Sequence, residues 1–199
     1  MKAALFALVG SALSLAAQQP KWELVWADEF DYTGLPDATK WTYEVGFVRN
    51  QERQYYTWAR KKNARVENGH LIIEAHKEKF PNPGYKKGSK SGPNARENAE
   101  YTAASLITLR KASWRYGRIE VRAKLPKGKG SWPAIWMLGV NHTKVGYPFC
   151  GEIDIMEFVA HSPDVILGTM HFPNDKGKHK LSGGRLKTTA PADDFHIYA

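Results

Sequence analysis

Arg118-Ile119-Glu120-Val121-Arg122-Ala123-Lys124-Leu125 alternates without error between charged and apolar side chains. Successive side chains of an extended strand point to opposite faces. Ile119, Val121, Ala123 and Leu125 therefore share one face, and Arg118, Glu120, Arg122 and Lys124 the other. This is the pattern of a half-buried antiparallel strand, one face on a core and one in water. Working outward, Asn68-Gly69 stands between Ala64-Arg65-Val66 and Leu71-Ile72-Ile73, a strong signal for a two-residue hairpin. Further short strands are expected over 22–26, 41–45, 105–109, 134–138, 165–171 and 195–198. No segment sustains a 3.6-residue period. Many short strands separated by turn residues imply an all-β sandwich.

The first residues stand outside that pattern. Met1-Lys2 is a short positive region, residues 3–15 are apolar or small, and Ser14-Leu15-Ala16-Ala17 offers a small-residue cleavage site before Gln18-Gln19-Pro20. Residues 1–17 therefore read as a signal peptide, too short for a membrane span. A secreted or periplasmic protein is expected, with residues 18–199 as one domain and no other apolar stretch able to cross a bilayer. The formal charge of +9 raises the question of nucleic acid. The basic residues are dispersed, however, apart from a run at Lys86, Lys87 and Lys90 in a Gly/Pro/Ser/Asn-rich stretch that reads as a solvated loop. With no nucleic-acid motif beside them, that partner class is excluded. Seven Trp and nine Tyr suit a carbohydrate cleft, because aromatic faces pack on the apolar faces of sugar rings. Cys150 is the one cysteine, so no intrachain disulfide forms; it reads as a packing residue.

Chemistry concentrates at Gly151-Glu152-Ile153-Asp154-Ile155-Met156-Glu157. Ionised carboxylates leave water only when partners or function compensate. Glu152 and Asp154 share a strand face, whereas Glu157 falls on the opposite one. One inserted residue, a β-bulge with Met156 as its candidate, brings Glu157 back to the face of Glu152. A helix would leave Glu152 and Glu157 about 140° apart. Two carboxylates flanking a bond can perform glycoside hydrolysis, one ionised and one protonated, their pKa values split by mutual repulsion. From the acids alone, a wet strand face or a divalent-cation site remains open as well.

Residues 151–158 resemble the catalytic signature of glycoside hydrolase family 16, in the longer form that carries the extra Met. Other stretches resemble its bacterial laminarinase (endo-1,3-β-glucanase) branch: Trp26-Ala27-Asp28-Glu29-Phe30, Asn50-Gln51-Glu52-Arg53-Gln54-Tyr55-Tyr56-Thr57, Arg65-Val66-Glu67-Asn68-Gly69-His70-Leu71, Ser113-Trp114-Arg115-Tyr116-Gly117-Arg118 and Gly130-Ser131-Trp132-Pro133-Ala134-Ile135-Trp136-Met137. The resemblance runs in order from about Trp22 to the last residue. It implies a jelly roll of the concanavalin A-like type whose concave sheet holds the cleft. Because residues 194–199 open a strand where relatives continue through several more, a C-terminally truncated domain is expected.

The resemblance also implies roles. Glu152 is the expected nucleophile, Glu157 the general acid and then base, Asp154 the hydrogen-bonding partner of Glu152, and His171 a histidine near the acid/base. Asn50, Trp132 and Trp136, with Trp114 and Arg118 behind them, are expected substrate-binding residues. Glu29 and the Gly69 turn resemble part of a structural calcium site; catalysis itself calls for no cofactor. The expected protein is a monomeric, exported, endo-acting retaining hydrolase of 1,3-β- or mixed 1,3/1,4-β-glucan. Two alternatives stand beside it. One is a hydrolase of an algal galactan such as agarose or carrageenan, and the other a β-glucan-binding protein without catalysis. The three acids argue against the second, since binding relatives replace them.

Overall fold

The computed structural model describes residues 22–199, so the expected signal peptide lies outside the described residues. Within them, thirteen short strands are joined by loops, with one 3-10 turn (Pro93–Ala95) and one four-residue helix (His142–Val145). The expectation of an all-β chain holds. No described helix is long and apolar enough to cross a membrane.

The site is carried by a four-stranded antiparallel sheet in the order His179–Lys187, Val165–Pro173, Glu152–Glu157, Ala134–Leu138. Behind it lies a two-stranded sheet in which His196–Tyr198 pairs antiparallel with Val121–Ala123. Leu125, Met156, Phe158, Ile166, Ala192 and Tyr198 fill the space between, with Ala123, Ile135 and Ile155 packed against them. Met156 and Phe158 are fully buried. Each stabilises the fold by roughly 1.5–3 kcal/mol relative to exposure.

A second region is built from Gln54–Tyr56, Asn98–Ala103 and His76–Pro81, the first pair parallel and the second antiparallel. The hairpin Ala64–Glu67/His70–Ile73 turns at Asn68 and Gly69, both at positive φ (53° and 73°) as a two-residue primed turn requires. Asn63, fully buried, ties the two together: its side-chain amide donates to Glu74 O (3.1 Å) and Thr102 Oγ (3.0 Å), and its oxygen accepts from Thr57 Oγ (2.9 Å).

Several expected strands differ in extent. The 118–125 alternation survives as burial, with the charged positions exposed and Leu125 buried, but only Val121–Ala123 finds a pairing partner. Residues 22–26 form no strand; Trp26 instead packs edge-on against Trp41 (5.5 Å) and Trp114 (5.4 Å). Lys86, Lys87 and Lys90 are exposed loop residues, as expected. His179–Lys187, unforeseen, is exposed along its whole length.

Candidate active site

The acidic strand shifts register against both neighbours. On one side Asp154 faces Thr169 and Glu157 faces Leu167, so Ile155 and Met156 together oppose the single residue Gly168. On the other, Asp154 faces Trp136 and Met156 faces Ile135, which leaves Ile155 without a partner. The expected bulge is present, with a correction. Met156 keeps its pairing with Ile135 and drops into the core, and Ile155 is the odd residue. With Ile155 and Met156 both directed toward the apolar layer, Glu157 returns to the face of Glu152 and Asp154. Where this strand begins, its backbone passes close to Gly139. A Cβ on Gly139 would stand 2.0 Å from the Cys150 carbonyl oxygen, so only glycine fits there. Cys150 itself is a half-buried free thiol.

Around the acids, partners come from three elements. His171 stands directly across from Glu152, and its Nε2–H donates to Asp154 Oδ2 at 3.0 Å, with Glu152 Oε1 at 3.8 Å. Trp132, just before the Ala134–Leu138 strand, donates Nε1–H to Glu157 Oε1 at 3.0 Å while its ring stays 65% exposed. Trp136 shares the register of Asp154 and carries the Arg49 guanidinium over its ring, 5.1 Å from the centroid. Arg49 also lies over Tyr56 (5.6 Å) and is ion-paired with Glu44.

Asn50 is exposed, next to Arg49, in a turn where Asn50 and Gln51 both take positive φ (50° and 54°). Such backbone is strained in a residue like Gln51 and persists only when its surroundings hold it. Here Arg96 does so, donating to the carbonyls of Gln51 (3.0 Å) and Glu52 and stacking over Phe47 at 4.6 Å.

Burial is the main force on all three acids and pushes each carboxyl up from its ordinary range. The Asp154 charge adds to the rise of Glu152 and Glu157. His171 pulls all three back, with Arg49 helping at Glu152 and the Trp132 hydrogen bond at Glu157. Asp154 is the most enclosed, 6% exposed. A site of this kind can hold one carboxyl ionised and another protonated near neutral pH.

Glu152, Asp154 and His171 also offer ligand atoms within 4.8 Å of one another, the only such group of three among the described residues. Yet the His171 nitrogen a metal would need is already donating to Asp154, which favours acid–base use over coordination. Glu29 is exposed and joins no such acid or histidine group. Calcium takes six to eight oxygens, of which Glu29 and Gly69 could offer two.

The other expected ligand-binding residues divide. Trp132 and Trp136 reach the acids' face. The Trp114 ring lies against Trp26, and the exposed Arg118 gives its Nε–H to Glu120 at 2.6 Å; neither is among the contacts of the acids. Sequence reading missed Arg49, Tyr147 and His179. Arg49 adjoins the Asn50 motif and was within reach of it. His179 opens a strand with no apolar face, so no parity argument could place it beside His171.

The profile of the glycosyl hydrolases family 16 matches residues 50–199. The chain belongs to this family. A β-glucanase of Rhodothermus marinus is 50% identical over 187 residues, covering 90% of this chain and 59% of the relative. The structure of the laminarinase from Rhodothermus marinus superposes with a TM-score of 0.74 at 48% identity, over 91% of this chain and 68% of that one. A structure reported with endo-acting O-glycanases of the human gut microbiota that initiate mucin breakdown gives a TM-score of 0.81 at 44% identity, over 87% and 62%. The family 16 chain described here is thus a β-sandwich jelly roll of laminarinase type, spanning about three fifths of the curated relative.

Proposed function

We propose that this protein is an exported, monomeric, endo-acting retaining hydrolase of 1,3-β- or mixed 1,3/1,4-β-glucan. The observation that carries the reading is the bulge at Ile155, which gathers Glu152, Asp154 and Glu157 on one face beside Trp132 and Trp136. In the first step the ionised Glu152 attacks the anomeric carbon and forms a glycosyl ester. Glu157 gives its proton to the departing glycosidic oxygen. In the second step Glu157, now a carboxylate, takes a proton from water, which attacks the same carbon and frees Glu152. Protons and charge balance between the two glutamates, so this chemistry calls on no cofactor.

Asp154 keeps a negative charge beside both glutamates, and His171 restrains that charge from driving Glu152 fully to its protonated form. Trp132 and Trp136 offer aromatic faces for sugar rings.

A second reading, hydrolysis of a β-galactoside polymer or a mucin glycan, is favoured by the 31% identity to a keratan-sulfate endo-1,4-β-galactosidase of Sphingobacterium multivorum and by the superposition on the gut O-glycanase structure. A panel of laminarin, lichenan, agarose, carrageenan and mucin glycans separates the two, with reducing ends and product sizes measured. The glucan reading expects short oligosaccharides from laminarin and lichenan. Cleavage confined to galactans or mucin glycans would replace it. N-terminal sequencing of the secreted product and light scattering check export and the monomeric state.

A further inference from the structure

The hydrogen-bonded series at the site continues past Asp154. His171 Nδ1 lies 2.8 Å from His179 Nε2, and the same His179 nitrogen lies 2.8 Å from the Tyr147 hydroxyl. The two imidazoles meet edge to edge and nearly coplanar, 5.1 Å between centroids and 23° between planes, and the Tyr147 ring stands 5.1 Å from that of His179. Tyr147 comes from the loop before the acidic strand. His179 opens the outermost strand opposite Pro173, two residues beyond His171 and hence on the same face. The series therefore runs from the enclosed Asp154 to Tyr147, 50% exposed.

Its hydrogens are constrained. One imidazole nitrogen carries either a hydrogen or a lone pair. If His179 Nε2 carries a hydrogen, both the Tyr147 oxygen and His171 Nδ1 must accept from it. His171 is then neutral, its single hydrogen on Nε2 for Asp154. If His179 Nε2 presents its lone pair, Tyr147 O–H and His171 Nδ1–H both donate to it, and His171 is an imidazolium. The direction of the Tyr147 hydroxyl and the charge of His171 change together.

We propose that Tyr147 and His179 are positioning residues that hold His171 in its charged form and through it keep Glu152 ionised. The proposal rests on the glycosidase reading for the role of Glu152, and deepens it. Charge favours the imidazolium. His171 faces Asp154 at 3.0 Å and Glu152 at 3.8 Å, and the ionisable groups about the Tyr147 end are Glu152, Asp154 and Cys150. Burial, then the charges of Glu152 and Asp154, push the Tyr147 phenol up, so it retains the hydrogen it must donate. When Glu152 becomes an ester it loses its negative charge, and the arrangement can relax toward the neutral form.

The test uses the full chain as wild type, Tyr147→Phe and His179→Gln, the last retaining an amide able to bond both neighbours. Histidine ¹⁵N–¹H correlation spectra at neutral pH should show His171 protonated on both nitrogens in wild type and on Nε2 alone in Tyr147→Phe. In the pH dependence of kcat/KM on laminarin, Tyr147→Phe should lose about tenfold on the acid side, as Glu152 protonates at higher pH, with a smaller upward shift of the alkaline limb because His171 also draws Glu157 down. A further variant, His179→Ala, should show the same acid-side loss as Tyr147→Phe, and His179→Gln should recover part of it. The same His171 pattern in wild type and Tyr147→Phe, or parallel loss at every pH, would overturn the proposal. Spectra read no activity, so an enzyme inactive on glucan that still shows the histidine contrast would remove the substrate reading and leave this one standing.

Discussion

At Glu157 a single hydrogen bond has a defined sign. Trp132 Nε1–H donates to the carboxylate form and draws down a group that burial and the Asp154 charge push up. Replacing Trp132 by Phe removes the donor and keeps an aromatic face. Glu157 then stays protonated to higher pH, so the alkaline limb of kcat/KM should move up while kcat at the optimum falls by less than about tenfold. An unmoved limb would show that the bond does not operate in solution. Glu152 bears on stability as well. Its folded pKa is raised, so the folded state binds the extra proton between the unfolded and folded pKa values. Stability is therefore lost as pH rises through that window, and the ionised side chain burdens the fold at neutral pH. Glu152→Gln should abolish hydrolysis yet melt a few degrees higher at pH 7, with the difference vanishing in acid. A variant that melts lower at pH 7 would contradict the burial of a costly charge.

At the level of the strand, parity decides activity. Ile155 has no partner on the Ala134–Leu138 side, while Met156 and Phe158 anchor the strand in the core. Deleting Ile155 removes the extra residue and leaves a regular strand in which Glu157, now four positions from Glu152, stays on its face while Met156 and Phe158 keep theirs toward the core. Activity should fall by less than about 100-fold, with cooperative unfolding retained. A folded deletion variant with no activity would refute the parity argument. Spacing alone made the bulge legible, because Glu152 and Glu157 cannot otherwise share a face. It did not reveal which residue is unpaired. That depends on Met156 reaching the layer formed by Leu125, Ile166 and Tyr198, contacts distant in sequence.

Across the whole molecule, the legible parts were those with a local signal. The Asn68–Gly69 turn, the alternation ending at Leu125 and the Ala134–Leu138 strand stand where local reading put them. The His179–Lys187 strand carries charged residues and two glycines with no apolar face, and forms only because Val165–Pro173 offers its edge. His179 was hidden for the same reason. The Trp114 motif is local, but the edge-on contact of its ring with Trp26 joins residues distant in sequence. The site's central claim is that Glu152 attacks carbon and Glu157 serves as acid and then base, two displacements that leave the anomeric configuration unchanged. Time-resolved ¹H NMR of laminarin hydrolysis by the full chain measures this directly. The β-anomer of the new reducing end should appear first, with the α-anomer growing only through mutarotation; an α-anomer formed first would mean a single displacement by water and would contradict the assignment of Glu152 as nucleophile.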